Sequence, residues 1–448
     1  MKSKKISPQE IQKKAVISGF DYFYPEDQRM AVFIESKFRE IAKLFNFEEI
    51  EGPLLQPIEF YEVKSGQELL ENTYKFKDAD ENILVLRPEL TPTVSYMIAK
   101  DSMKLSFPVR WWSNPILFRK ERAQKGRKRQ FKQLNMDIFD RADSKRERVF
   151  DEAEIIAIAC FIFQSFKLTP KDIVIKISSR SLLERFFDSL EIDSKKRQEL
   201  GKLLDKYGKI EKKEFENKAR EILEDKNSIE NFQLWLKIKS LSDIKNSKSL
   251  SFLIKTEEYK ELSKLFELLE SYQIKDFCEF DPLIVRGLGY YTGTVFEAFE
   301  KNSKSGLKRA ILGGGRYDNL TEEMGGKIKI TGVGFGFGNT PFEEMLKARN
   351  ITPPQENLDY YICCQTKEMV KEAIRIASTL RKNGKAVLVD PSLAKETPDA
   401  ISKQLSRASF SKAQYSIIVF PKEWEERKII VKDMQNQSQK EIKIEEIL

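Results

Sequence analysis

The sequence predicts an α+β fold organised around an antiparallel sheet, and three stretches carry that expectation. Residues 118–139, FRKERAQKGRKRQFKQLNMDIF, read as two strands joined by a strongly basic loop. Residues 168–279 are Lys-rich and hold amphipathic segments such as SRSLLERFFDSLEI and YKELSKLFELLESYQ, which read as helices. Beyond a linker containing Pro353 and Pro354, strand-like runs alternate with helical ones in an α/β module. The expected organisation is therefore a first sheet-forming part at 1–167, a mainly helical insertion at 168–279, a second sheet-forming part at 280–350, a linker at 351–357 and the α/β module at 358–448.

Composition narrows the class. A length of 448 residues allows two or three domains with ample core. Charged residues make up 33%, and no apolar run approaches the roughly 20 residues that span a bilayer, so no membrane partner is expected. The N-terminal MKSKKISPQEIQKK lacks the apolar centre of a signal peptide, which sets the expectation of a cytoplasmic protein. A formal net charge of +8 is compatible with nucleic acid without demanding it. Cys160, Cys278, Cys363 and Cys364 show no CxxC spacing and read as reduced, buried residues. The chain contains no histidine, the side chain most used for general-base work near neutral pH, so catalysis would have to rest on electrostatics and positioning.

In chain order, residues 1–20 read as loosely ordered. A helix is expected over about Asp27–Phe45, with Met30, Phe33, Ile34, Phe38, Ile41 and Phe45 as its core-facing stripe. Residues 47–50 enter a short strand reaching Pro53 and Leu54. ENILVLRPELTPT follows as a strand through Leu86 and a helix from near Thr91. Arg87, Glu89 and Thr91 alternate to one side of that junction, where Glu89 taken alone reads as a helix cap or as a ligand contact.

Period-two alternation within 118–139 sets Arg119 and Glu121 opposite Phe118, and Gln133, Asn135 and Asp137 opposite Leu134, Met136 and Ile138. Two readings fit. One is a hairpin with a solvated face. The other is a floor for a polar ligand beneath a phosphate-binding flap made by Arg122, Lys125, Arg127, Lys128, Arg129 and Lys132.

The charges of the helical insertion read as solvated helix faces, with RNA contact as the alternative. In DPLIVRGLGYYTGTVFEAFE, Arg286 opens a turn in which Tyr290 and Tyr291 stand among Gly287, Gly289 and Gly293. ILGGGRYDNL then permits close backbone approach, and TGVGFGFGNTPFEEML reads as a Gly-rich strand running into a helix. The Gly-x-Gly-x-x-Gly spelling by itself does not indicate a dinucleotide site. In the last module YYICCQ, KAVLVD, YSIIVF, KIIVKD and EIKI read as strands, and 368–382 and PDAISKQLSRA as helices.

LRPELTPT, FRKERAQKGRKRQFKQLNMDI, VRGLGYYTGTVFE, GGGRYDNL and GVGFGFG stand in the order and spacing found in histidyl-tRNA synthetases, and the chain resembles that family from about residue 17 to its C-terminus. The resemblance implies a class II catalytic sheet with a helical insertion and a C-terminal anticodon-binding domain. It implies a homodimer with Pro53 at its interface, ATP and Mg²⁺, and L-histidine and tRNA(His) as partners. It assigns Arg119 and Arg286 to the α-phosphate and Glu121 to the adenine end of ATP. Glu89, Thr91 and Gln133 fall to the substrate amino group, Asp137 and Tyr291 to the imidazole with Tyr290 alongside, and the loop bearing Arg122, Lys125, Arg127 and Arg129 to ATP and the acceptor end of tRNA. Where the family's third motif usually ends in an arginine, this chain has Asn339, Thr340 and Pro341 after Gly338; Gly289 replaces an aspartate, and Phe131-Lys132 stands where a histidine is common. A second implied reading is a regulatory subunit of a histidine-biosynthetic enzyme, although such paralogues typically lack the anticodon domain and lose the phosphate arginines.

Overall fold

The computed structural model describes residues 7–62, 67–208, 210–285, 290–355, 357–391, 394, 397 and 399–447. The chain divides into two compact units, Met1–Pro353 and Pro354–Leu448. The first holds strands β1 (Glu48–Glu49), β2 (Leu55–Pro57), β3 (Tyr74–Lys77), β4 (Ile83–Leu86), β5 (Val109–Ser113), β6 (Ile116–Phe118), β7 (Gln130–Arg141), β8 (Ile173–Ser179), β9 (Cys278–Phe280), β10 (Thr294–Glu300), β11 (Leu312–Tyr317) and β12 (Ile330–Gly338). The main sheet runs β1-β5-β7-β12-β11-β10-β8-β9, with β6 paired to β7. Its pairs are antiparallel except at the two ends, β1 with β5 and β8 with β9. A smaller sheet, β2-β4-β3, stands apart.

One face of the main sheet carries the core. Leu134, Met136 and Ile138 of β7 pack there with the helices Pro25–Leu44 and Arg148–Ser165. From Ile155 to Cys160 the second of these helices has no exposed residue, as expected of a helix that is apolar all round. The ring of Phe337 from β12 meets Phe38 and Phe163 at 5.3 Å and Phe342 at 4.8 Å. Each such burial contributes roughly 1.5–3 kcal/mol. Alternation then turns Gln133, Asn135 and Asp137 to the opposite face, which is where the functional groups collect.

Several elements depart from the sequence reading. Residues 8–15 form a helix where loose order was expected, stabilised by a reciprocal Ser7–Glu10 capping box; it buries nothing, so no apolar stripe announced it. The helix expected from Asp27 begins at Pro25, whose missing N–H costs nothing in a first turn. The strand expected to reach Glu121 stops at Phe118. Arg119 N still bonds Arg129 O at 2.9 Å, but Lys120 N turns away to Asn72 O at 2.7 Å. Among the described residues, 180–271 hold six α-helices closed around Phe186 stacked on Trp235 at 4.4 Å, while β8, inside 168–279, and β9, which runs one residue past its end, belong to the main sheet.

The second unit holds β13 (Leu358–Cys364), β14 (Val387–Val389), β15 (Ala413–Val419), β16 (Lys428–Asp433) and β17 (Gln439–Lys443) in the order β14-β13-β15-β16-β17. The first three are parallel and the last two antiparallel, with helices Met369–Lys382 and Ala400–Phe410 as the crossovers that parallel strands require. All four cysteines are free and buried. Among the described residues no helix is long and apolar enough to cross a membrane.

Candidate active site

The floor of the site is laid by β7, β12 and β11 side by side. Glycines of β12 alternate with core residues, so the strand presents almost bare backbone to the polar face. A Cβ at Gly334 would stand 2.0 Å from Asp137 Oδ1, and one at Gly332 would stand 2.3 Å from the Tyr317 ring. A Cβ at Gly336 would meet the Gln133 amide carbon at 2.8 Å. These glycines are therefore the space in which side chains of the flanking strands lie. Tyr317 donates its phenol to Asp137 Oδ1 through that space. Asp137 is only 4% exposed, and burial pushes its carboxyl up to about 7, with the Tyr317 hydrogen bond pulling the other way.

Glu89, Thr91, Gln133, Asp137, Tyr290 and Tyr291, scattered over some two hundred positions of sequence, line one cavity of about 160 Å³. That is roughly five water molecules' share of liquid volume. Glu89 is buried, and its side chain accepts from the Tyr290 hydroxyl at 3.1 Å. Leu90 takes the N-cap position of the helix Thr91–Asp101, and Glu89 lies on the wall of the cavity. Arg87, its neighbour in the alternating trio, is turned elsewhere: it pairs with Glu51 at 2.5 Å and donates to the Gly52 and Ile116 carbonyls. Asn135 also lines the cavity and donates to the Gln133 carbonyl at 3.0 Å. Two acidic side chains, three tyrosines and two amides make a chamber suited to ammonium and N–H donors. Gln133 to Asp137 spans ~13 Å along one face of β7.

A second cavity, of about 480 Å³, adjoins the first; Arg119, Gln133, Gly313 and Gly336 line both. Arg119 is fixed at this junction by donating Nε to Pro88 O at 2.9 Å and by lying 5.3 Å from the centre of the Phe131 ring. Glu121 lines the larger cavity and pairs with Arg127 at 2.6 Å. The loop after β6 folds into a tight turn at Gln124–Arg127 and is held to the N-terminal segment by Arg129 N and Gln130 N, both donating to Gly19 O. Its cations have protein partners in part: Lys128 with Asp21 at 2.7 Å, Lys132 with Glu35 at 2.7 Å and Lys125 with Glu344 at 4.0 Å. Arg129 donates to Glu121 O, while Arg122 is exposed.

Two groups escaped the sequence reading. Tyr317 sits in the GGGRYD stretch, where the glycines are the local signal, and its place beside Asp137 depends on a strand pairing that no local pattern reveals. Arg309, three residues before β11, lines the larger cavity; the Lys308-Arg309 pair ahead of the glycines was the available signal. Arg286, with Gly287 and Gly289, lies outside the described residues. Pro53 is exposed in the connection between β1 and β2.

A small polar chamber, an arginine at its mouth and a basic cavity beyond stand on an antiparallel sheet, the arrangement of a class II aminoacyl-tRNA synthetase. The family model for histidyl-tRNA synthetase matches residues 19–338, and that for an anticodon binding domain matches 351–448. The chain belongs to the histidyl-tRNA synthetase family. It is 32% identical over 423 residues to the histidine–tRNA ligase of Leptospira biflexa, covering 93% of this chain and 92% of that one. With the chloroplastic/mitochondrial histidine–tRNA ligase of Arabidopsis thaliana it shares 30% over 426 residues, 95% of this chain and 84% of the relative. The crystal structure of histidyl-tRNA synthetase from Nostoc sp. PCC 7120 superposes with a TM-score of 0.79 at 25% identity, over 96% of this chain and 98% of that one.

Proposed function

We propose that the chain activates L-histidine with ATP and transfers the histidyl group to the 3′ end of tRNA(His). The observation that carries this is the position of Arg119, on the wall common to the small polar cavity and the larger basic one. An α-phosphate must sit between an amino acid and the rest of the nucleotide, and a guanidinium there matches it bidentately. In the small cavity Asp137 and Tyr317 take the imidazole, with Tyr291 beside it. Glu89, Thr91 and Gln133 take the ammonium, and Tyr290 holds the Glu89 carboxylate in place.

The histidine carboxylate attacks the α-phosphorus in line. A P–O bond to histidine forms as the bond to the β-phosphate oxygen breaks, and pyrophosphate leaves with that electron pair. A ribose hydroxyl of the terminal adenosine then attacks the acyl carbon, its proton is lost, and AMP departs. Neither step needs a protein nucleophile, so the absence of histidine from the chain is no obstacle; positioning and charge stabilisation suffice. Arg119 supplies the second of these, and Arg286 shares it on the strength of its sequence motif. Mg²⁺ would serve as the counter-ion of the ATP phosphates, and Glu297 on the larger cavity is a carboxylate of the kind that would hold it together with phosphate and water oxygens. The anticodon-binding match at 351–448 favours ligation over the regulatory reading and supplies the second contact with tRNA. A cytoplasmic homodimer with Pro53 at its interface completes the proposal.

The test is ATP–pyrophosphate exchange with each amino acid, followed by charging of total tRNA. Exchange that depends on histidine is expected; exchange indifferent to histidine would refute the reading.

A further inference from the structure

We infer that Arg309 is a phosphate-binding residue of the larger cavity, supplying from the approach to β11 the cation that the end of β12 lacks. The inference deepens the proposed reaction and rests on it. Where the family's third motif usually places an arginine, the helix Asn339–Ala348 begins instead, and it offers the cavity only Thr340 and Pro341. Arg309 reaches the same cavity from another element.

Its surroundings are those of a cation awaiting an anion. One guanidinium nitrogen donates to Gly126 O at 3.0 Å, while Nε is buried without a hydrogen-bond partner. Among the described residues no carboxylate forms an ion pair with Arg309. Glu121, whose charge favours it, is engaged by Arg127 at 2.6 Å. Burial and the fields of Arg127 and Arg119 hold its pKa below the usual arginine value. Arg119, Arg127 and Arg309, with Lys128 and Lys308, thus line one cavity that holds two carboxylates, Glu121 and Glu297, and a polyphosphate would neutralise the excess of positive charge. Gly126, the flap residue whose carbonyl Arg309 holds, packs so closely on Leu307 that a Cβ there would lie 2.8 Å from its side chain. Phosphate bound by Arg309 would therefore also fix the tip of the flap.

A purely structural Arg309, tying the flap to the sheet through Gly126 O, is the competing account. Arg309→Gln separates the two, because it keeps an N–H donor and removes the charge; Arg309→Lys keeps the charge, and Arg309→Ala removes both. The measurements are KM for ATP and for histidine in pyrophosphate exchange, and the thermal shift given by sodium tripolyphosphate. Phosphate binding predicts at least a tenfold rise in KM for ATP in the Gln and Ala variants and a KM for histidine within about twofold of wild type. The tripolyphosphate shift should be lost in those two and retained by Lys. A Gln variant with wild-type KM for ATP would leave only the structural tie and overturn the inference, as would equal rises in both KM values. Absence of histidine-dependent exchange in the wild type would sink the proposed reaction instead, and Arg309 would then stand or fall on the tripolyphosphate shift alone.

Discussion

The phenol of Tyr317 on β11 meets the carboxylate of Asp137 on β7 by reaching across β12, where Gly332 and Gly334 place no side chain between them. The pocket's acid is thus held by a strand two places away in the sheet. A hydrogen bond to a charged group is worth about 1.5–3 kcal/mol. Tyr317→Phe should accordingly raise KM for histidine roughly ten- to a hundredfold while leaving KM for ATP unchanged. An unaltered histidine KM would remove Tyr317 from recognition.

The same pair makes stability depend on pH. Asp137 is raised from the ordinary 3.8 to about 7, chiefly by desolvation. Between those values the folded chain binds the proton and the unfolded chain does not, so stability falls as pH rises through about 4 to 7 and levels off above. Three pK units correspond to roughly 4 kcal/mol. Asp137→Asn removes the titration, and its thermal midpoint should gain on wild type from pH 5 to pH 8. A difference that does not vary with pH would contradict the raised pKa.

How much of this was written locally in the sequence differs from residue to residue. Gln133, Asn135 and Asp137 were readable as one face because a strand repeats every two residues and their alternates, Leu134, Met136 and Ile138, are apolar. Arg119 and Glu121 were assigned to a strand that ends at Phe118, since what diverts the chain is the distant Asn72 carbonyl. Glu89 reads locally as a cap or a ligand contact, and the Tyr290 hydroxyl that donates to it comes from two hundred positions further on, where no local pattern could place it. Tyr317 and Arg309 have partners that no local pattern announces: Asp137, brought to Tyr317 by sheet register, and the carbonyl of Gly126, in a loop far from Arg309 in sequence. The resemblance to a family supplied roles that local pattern could not.

The bare backbone of β12 gives a sharper test. In Gly334→Ala the new methyl would lie 2.0 Å from Asp137 Oδ1 and 2.6 Å from the Met136 carbonyl, and the latter, being backbone, cannot swing aside. Loss of histidine-dependent exchange together with a lowered thermal midpoint is expected. Gly201→Ala is the control: it lies inside the helix Ser194–Leu204 with nothing within 4 Å of the added carbon. It should stabilise by about 0.5–1 kcal/mol and leave activity alone. Equal behaviour of the two variants would show that the glycines of β12 are not there for space.

Arg316, the residue before Tyr317, supports the site from behind. It is 7% exposed and lies 3.1 Å from Glu152, 3.3 Å from Glu261 and 3.6 Å from Asp318. Glu152 is itself 2% exposed, and burial raises its carboxyl against the opposing charge of Arg316. Removing the guanidinium would leave Glu152 buried and uncompensated, which typically costs about 3–5 kcal/mol. The exposed pair Arg39–Glu49 offers the contrast, since solvent and salt screen it to at most about 1 kcal/mol. Arg316→Ala should therefore lower the thermal midpoint by many degrees and Arg39→Ala hardly at all. Adding Glu152→Gln to Arg316→Ala removes the stranded charge and should recover part of the loss. Were the double variant no more stable than the single one, the stranded charge would not be the source of the cost, and the contact of Arg316 with Glu261 on the helix Glu257–Ser271 would have to carry it.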